Sequence, residues 1–303
     1  NTSGDAGQAA ATAQKAVAEG AKIILGPLHG DAANAAGLAV APQNVNESAF
    51  SNNPAIAGGN VFVFGNTVQN SAYRLVKYAG GQGKRRIMIV AEDDPAGQIG
   101  AAAIQTAIAR NGAQVAGQAN HAVSMEGIDR IVPSVAAAAK SGNVDAIFMT
   151  ANQGAVLPYL TEALNKAGVS SATTQMMGLT RWDQPAARLQ LPGVQEGWFA
   201  VPDTTLRAQF DQRYRAAYGE APHELGSLAY DGVAAIASLV RAGKANALTS
   251  RGLTQGSGFA GVNGVFRFRP DGTNERGLAI ATIRNKQLVI LDPAPRSFGG
   301  FGF

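Results

Sequence analysis

Glu92, Asp93 and Asp94 are three successive acids at the end of an apolar run, a pattern that paired-carboxylate chemistry or a Mg²⁺ ion could use. Their setting argues for a plainer role. Ile87 to Ala91 reads as a buried strand and Gln98 to Arg110 as a helix, so acids in the loop between them solvate it and cap the helix. The other reactive side chains are scattered. His29, His121 and His223 lie far apart with no HxH or HExxH spacing, and no metal site is expected. Gly83-Lys84 looks like the end of a phosphate loop, but Arg85 stands where Ser or Thr is required. No GxGxxG follows a strand, no GxSxG elbow exists and there is no cysteine. An enzyme is left without nucleophile, base or cofactor motif, and no cofactor is expected. Trp182 reads equally as core or as a stacking platform.

What the chain offers instead is loops at the ends of apolar strands. In KIILGPLHGD (residues 22–31), Ile23, Ile24 and Leu25 stop at Gly26-Pro27, which fits a strand buried on both faces. The alanine-rich Ala32 to Ala41 continues as a helix. In an open α/β sheet, ligands bind at the loops beyond the strands' carboxyl ends. Leu28-His29-Gly30-Asp31 is therefore the first candidate binding edge, although periodicity by itself reads it as an ordinary βα loop.

At 303 residues, 46% apolar and 15% charged, the chain suits one large or two medium packed domains and not disorder. The net charge is +4, and the one tight basic cluster, Lys84-Arg85-Arg86, runs straight into a strand. It reads as a solvated strand entry, and no nucleic-acid-binding signature accompanies it. No apolar run is long enough to span a membrane. The opening Asn1-Thr2-Ser3-Gly4 resembles a trimmed start, with an export signal expected upstream of it.

Along the chain, Asp5 can cap a helix that ends at Gly20, while Val45 to Asn53 has neither period and reads as a polar loop. Val61 to Phe64 is a strand, broken by Gly65-Asn66-Thr67 and followed by a helix over Gln69 to Ala79. Strands at Ile87–Ala91, Gln114–Ala119, Asp145–Thr150 and Gln175–Gly178 then alternate with helices at 98–110, 127–140 and 156–167. That alternation predicts parallel sheets built from right-handed βαβ units. Past Val201 the character changes. Helices follow at Thr205–Tyr218 and Leu225–Ala242, then a period-two strand at Gly264–Phe268 and a hairpin over Leu278–Leu291. The Gly/Phe-rich tail from Phe298 is expected to fray.

Four segments carry a family resemblance: GDAGQAAATAQKAVAEGAKIILGP (4–27), RIMIVAEDDPAGQIGAAAIQTAIARNGAQVAG (86–117), FDQRYRAAYGEAPHELGSLAYDGVAAIASLV (210–240) and GFAGVNGVFRFRPDGTNERGLAIATIRNKQ (258–287). Taken in order they resemble the type I periplasmic binding proteins, in the branch holding the leucine/isoleucine/valine-binding receptors of ABC transporters. The resemblance implies an α/β fold of two doubly wound parallel-sheet lobes joined by a three-strand hinge that closes on the ligand. It places lobe I at residues 1–66 and 203–260 and lobe II at 67–202 and 261–303. The crossings are expected near Gly65–Thr67, Ala200–Asp203 and Phe259–Val265, and the family's usual first strand and helix would precede Asn1.

Carried over residue by residue, the resemblance implies a binding set that departs from the amino-acid receptors. Where they offer a hydroxyl to the ligand carboxylate, this chain has Gly30, between His29 and Asp31. Where they present a main-chain carbonyl and a threonine, it has Phe50 and Asn52, with Ser48 and Ser51 nearby. One second-lobe tyrosine is Ala96, in the loop that begins at Asp94, and another is Gln153, beside Asn152. The acid that pairs with the ammonium falls near Thr180, in the loop holding Trp182 and Asp183. A zwitterion withdrawn from water needs its carboxylate hydrogen-bonded and its ammonium paired. Asp183 or Asp31 could replace the missing acid, and Arg181 could meet an anion.

The expectation is a periplasmic or extracellular receptor, monomeric, that captures an amino acid, amide or small organic acid and delivers it to an ABC permease. The alternative is an envelope protein of the same fold that serves no transport, such as an activator of a peptidoglycan synthase.

Overall fold

Short apolar strands alternating with alanine-rich helices give the element order α1 (Ala6–Ala18), β1 (Ile23–Leu25), α2 (Gly30–Val40), β2 (Asn46–Ala49), β3 (Val61–Val63), α3 (Val68–Gly81), β4 (Arg86–Glu92), α4 (Pro95–Arg110), β5 (Gln114–His121), α5 (Met125–Lys140), β6 (Ala146–Met149), α6 (Val156–Lys166), β7 (Gln175–Gly178) and β8 (Trp198–Val201). After them come α7 (Thr204–Tyr218), α8 (Gly226–Arg241), α9 (Ser250–Leu253), β9 (Phe259–Gly261), β10 (Gly264–Phe268), β11 (Asn274–Arg276), β12 (Ala279–Arg284) and β13 (Gln287–Asp292). This computed structural model describes residues 1–151, 154–243 and 246–298. The chain divides into two compact units: residues 1–67, 202–277 and 294–298 form the first, and Val68–Val201 with Leu278–Pro293 the second.

In the first unit β1, β2 and β3 form a parallel sheet in that order. Ala9, Ala13, Ala32, Ala36 and Val40 bring α1 and α2 together, small side chains permitting close helix approach. A second core is aromatic. Phe62 and Phe64, at the end of β3, meet Phe266 and Phe268 of β10, with Phe64 and Phe266 edge-to-face at 4.8 Å between centroids. β9, β10 and β11 form an antiparallel sheet there.

Two expectations fail in this unit for physical reasons. β1 is half-buried, not enclosed on both faces, because it lies at the sheet's edge with β2 as its strand partner. Residues 45–53 are not a polar loop: Asn46 to Ala49 form the central strand and are all buried. The polar side chains that hid the strand have internal uses. Asn46 donates to the Leu248 carbonyl at 2.8 Å and accepts from the Ser250 hydroxyl at 3.2 Å. Glu47 packs on Gly37 and Val61, with no hydrogen-bond partner among the described residues for either carboxylate oxygen.

The second unit has a seven-stranded sheet in the order β13-β12-β8-β7-β6-β4-β5. Its five strands from β8 to β5 run parallel, and β12 and β13 add antiparallel at one edge. Ile87, Ile89 and Ala91 face a core with Leu75 and Val76 of α3 and Ile104 and Ile108 of α4. β4, β6 and β7 are buried on both faces, which is why they read as unbroken apolar runs. Arg86, the end of the basic cluster, is a strand entry as read: its guanidinium pairs with Asp145 at 2.6 Å, and that bond holds the Asp145 carboxyl down to about 2. Trp182 is fully buried. Its ring is held between Gly178 and Gly197, near-parallel to Phe199 with centroids 6.4 Å apart.

The third boundary between units falls at 277/278, not at 260/261, and the chain returns to the first unit after Pro293. The cause is β10 and β11, whose aromatic and polar side chains are bonded to β3.

Two outcomes follow from this packing. Burial raises the Glu47 carboxyl to about 8, against 4.5 when unfolded. Folding then retains a proton that the unfolded chain loses, so the contribution is full below pH 4.5 and declines as pH rises through about 8. The slope of that decline is at most roughly 1.4 kcal/mol for each pH unit. Urea denaturation followed by circular dichroism should show wild type losing stability between pH 5 and 8. E47Q should remove a large part of that slope; an unchanged slope would place the titration elsewhere. In the second unit, a Cβ on Gly197 would lie 2.1 Å from Trp182 Cζ3. Gly197→Ala should cost about 1–3 kcal/mol of unfolding free energy, read from tryptophan fluorescence in urea.

Candidate functional site

Each unit presents loops at the carboxyl ends of its parallel strands. In the first unit, Gly26 takes φ +89°, a conformation open to glycine, and its N–H donates to the Ser48 carbonyl at 3.0 Å. The Phe50 N–H donates to Pro27 O at 2.9 Å, so the loops after β1 and β2 are laced together. α2 starts immediately beyond. Its N-cap residue is His29, whose side chain makes no capping bond. The first-turn N–H groups of a helix have no partners within it, and the helix dipole favours an electron-rich group there.

Ser51 and Asn53 face that helix start. Ser51 Oγ and Asn53 Nδ2 lie 3.6 and 3.5 Å from where a Cβ on Gly30 would be. Ser51 Oγ accepts from Asn53 N at 3.1 Å, and Asn53 Oδ1 accepts from Ala55 N at 3.0 Å. These bonds fix the loop and leave the Asn53 amide nitrogen turned toward Gly30. Asn53 escaped the sequence reading; its signal was the Asn-Pro step, which starts a single 3₁₀ turn at Pro54.

The other first-unit candidates are less alike. Asp31 is exposed in the first turn of α2, and Asn52 is exposed in the loop. The His29 ring packs on Gly4. Ser48 is buried inside β2. Phe50 turns its ring inward against Gly26 and Phe64, leaving its backbone at the loop. Gly65 is glycine by contact, because a Cβ there would lie 2.8 Å from Phe50 O and 2.6 Å from Ser51 O.

In the second unit the strand order turns back at β4, with β5 on one side of it and β6 on the other. Such a switch point opens a crevice between the loops after the two diverging strands. Here those loops begin at Asp93 and Thr150. Asp94 is the N-cap of α4, its Oδ1 accepting from Gly97 N at 2.6 Å, so its carboxylate is committed to the helix. Ala96 is exposed in the first turn. Thr180, after β7, donates to Ala151 O at 3.4 Å and ties the β6 and β7 loops. Asn152 and Gln153 lie outside the described residues.

The most ordered charge at this edge is a clamp. Arg181 Nε donates to Asp183 Oδ1 at 2.9 Å, and Nη2 donates to Asp183 Oδ2. The Asp183 side chain is 6% exposed and that of Arg181 is 40% exposed. Asp183, a candidate ammonium partner, has both oxygens occupied by the neighbouring guanidinium. Trp182 points the other way, into the core, and offers no stacking face. Among the described residues no group of three or more His, Cys, Asp or Glu could hold a metal ion.

The sequence and the fold match known proteins. A family model described as periplasmic binding protein matches residues 1–287. No curated protein sequence matches the chain. Among solved structures, a protein of Rhodospirillum rubrum, described as a candidate branched-chain amino acid ABC transporter, superposes with TM-score 0.81 at 18% identity, covering 96% of this chain and 86% of its own. An ABC transporter substrate-binding protein of Desulfitobacterium hafniense in complex with Leu gives 0.68 at 18% identity, covering 96% and 87%. An ABC transporter solute-binding protein of R. palustris in complex with benzoate gives 0.62 at 16% identity, covering 97% and 83%. With the family model spanning nearly the whole sequence, the chain belongs to the periplasmic binding protein family.

Proposed function

We propose that the chain is the receptor of an ABC uptake system and captures a small organic solute at strand-end loops of its parallel sheets. Family membership makes it a solute-binding protein of the periplasm, and among the described residues no helix is long and apolar enough to cross a membrane. Relatives of this fold are complexed with leucine and with benzoate, so the solute class proposed for this chain spans amino acids, their amides and small organic acids. The carrying observation is the start of α2, uncapped by a side chain, with Ser51 Oγ and Asn53 Nδ2 over Gly30. Backbone N–H groups, a hydroxyl and an amide are hydrogen-bond donors, and they suit the electron-rich end of a polar solute. Delivery to a membrane permease is the step that receptor capture serves.

A ligand that binds only the folded protein raises its unfolding temperature, by about 2.7 kcal/mol of stability at a hundred times Kd. Thermal denaturation of the purified chain against amino acids, amides, aliphatic acids and aromatic acids should give a rise with at least one class. S51A and N53A should each weaken that ligand about 3- to 10-fold, the usual worth of one hydrogen bond. No rise with any compound rejects the receptor reading and favours a protein partner, such as a peptidoglycan synthase, recoverable by crosslinking in the cell envelope.

A further inference from the structure

We propose that Arg181 is a carboxylate-binding residue and that the solute is an organic acid lacking an ammonium group, a refinement that rests on the receptor reading above. A guanidinium carries five N–H donors in a planar fork. Asp183 takes the side edge, through Nε and one Nη2 hydrogen. The end edge keeps one hydrogen on Nη2 and two on Nη1, which meet no acceptor among the described residues. Two of them point the same way, the spacing that receives a second carboxylate in bidentate fashion.

The clamp also fixes where that edge goes. Asp183 is buried beside the Trp182 packing, so the guanidinium cannot swing freely, while its own side chain is 40% exposed at the carboxyl end of β7. A pre-oriented donor pair loses little freedom on binding. Thr180, one residue earlier, is fixed to Ala151 O and holds the loop's start.

The acids of these edges are disposed against an ammonium. Asp183 is consumed by Arg181, and Asp94 by the Gly97 N–H. Glu92 is buried at the carboxyl end of β4, where Gly97 packs on its carbonyl. Asp31 and Asp93 are exposed, and a solvated carboxylate contributes little to holding a cation. Neither Asp94 nor Asp183, the two carboxylates fixed at the strand ends of this unit, is free to accept the ammonium of an amino acid.

The test uses the full chain and pairs of compounds that differ only in the ammonium: 4-methylpentanoate with L-leucine, and 3-phenylpropanoate with L-phenylalanine. Benzoate and 4-methylpentanamide complete the panel, read by titration calorimetry. At least one acid should bind ten-fold or more tighter than its amino acid. R181Q alone would strand buried Asp183, so the deciding variant is R181Q/D183N, which removes both charges of the clamp. It should keep the unliganded melting temperature within a few degrees and lose about 10- to 100-fold in acid affinity. R181K, with charge but no fork, should lose most of the same affinity. Tighter binding of the amino acids, or acid binding unchanged in R181Q/D183N, overturns the inference and leaves the receptor reading standing. Binding by no member of the panel overturns both.

Discussion

The end of β3 depends on one constraint: its backbone carbonyls are buried and must find donors. The sheet supplies them on the β2 side. On the other side the donors are side chains from β11. Asn274 Nδ2 donates to Val63 O at 2.8 Å and to Gly65 O at 2.7 Å, and Arg276 Nη2 donates to Phe64 O. The Arg276 guanidinium also lies over the rings of Phe64 and Phe266, 4.7 and 5.3 Å from their centroids. An unpaired buried carbonyl costs about as much as a lost hydrogen bond, so the chain that leaves at Thr67 has to come back to β3 some two hundred residues later. That return decides which residues belong to the first unit. It also fixes Gly65, and through its contact with Ser51 O it fixes the loop over α2.

The same economy of polar groups shapes the candidate site. Asp94 caps α4, Ser51 and Asn53 bond their own loop, Thr180 ties two loops and Asp183 holds Arg181. The Asp94 and Asp183 carboxylates are used as acceptors inside the fold. The donors left unused are the N–H groups of the α2 start and the Asn53 amide in the first unit, and the end edge of Arg181 in the second.

Much of this was legible in the sequence where the chemistry was apolar. Strands β4, β6 and β7, buried on both faces, announce themselves as continuous runs, and their loops follow. The family and its fold were equally visible in the four ordered segments. The misses share one cause, which is buried polarity. Asn46-Glu47-Ser48 reads as a loop because a strand of that composition makes sense only when its side chains are satisfied by residues far along the chain, as Asn46 is by Leu248 and Ser250. Asn274-Glu275-Arg276, a strand the sequence reading does not contain, is of the same kind: all three are buried. Asn53 was missed because its role follows from lying over Gly30, a tertiary fact that spacing does not carry. Trp182 stood open between core and platform, and Gly178 and Gly197 decide it by making a slot that only a flat ring fills.

Two arginines show how far residue type alone falls short of function. Arg276 is 9% exposed, and burial pushes its guanidinium down to about 10, with Asp231 acting against the shift. It stays charged at neutral pH because that acid stands near and two aromatic faces cover it. Asp231 in turn is fixed by the N–H groups of Val262 and Asn263 and by the Asn263 amide. Every one of these contacts lies inside the fold, so Arg276 acts on the site only through the position of β3. Arg181 has the opposite balance: its partner is buried and its own free edge is exposed. An arginine whose carboxylate partner is fixed and hidden behaves as an oriented donor and not as a mobile charge, which is the property a carboxylate receptor requires.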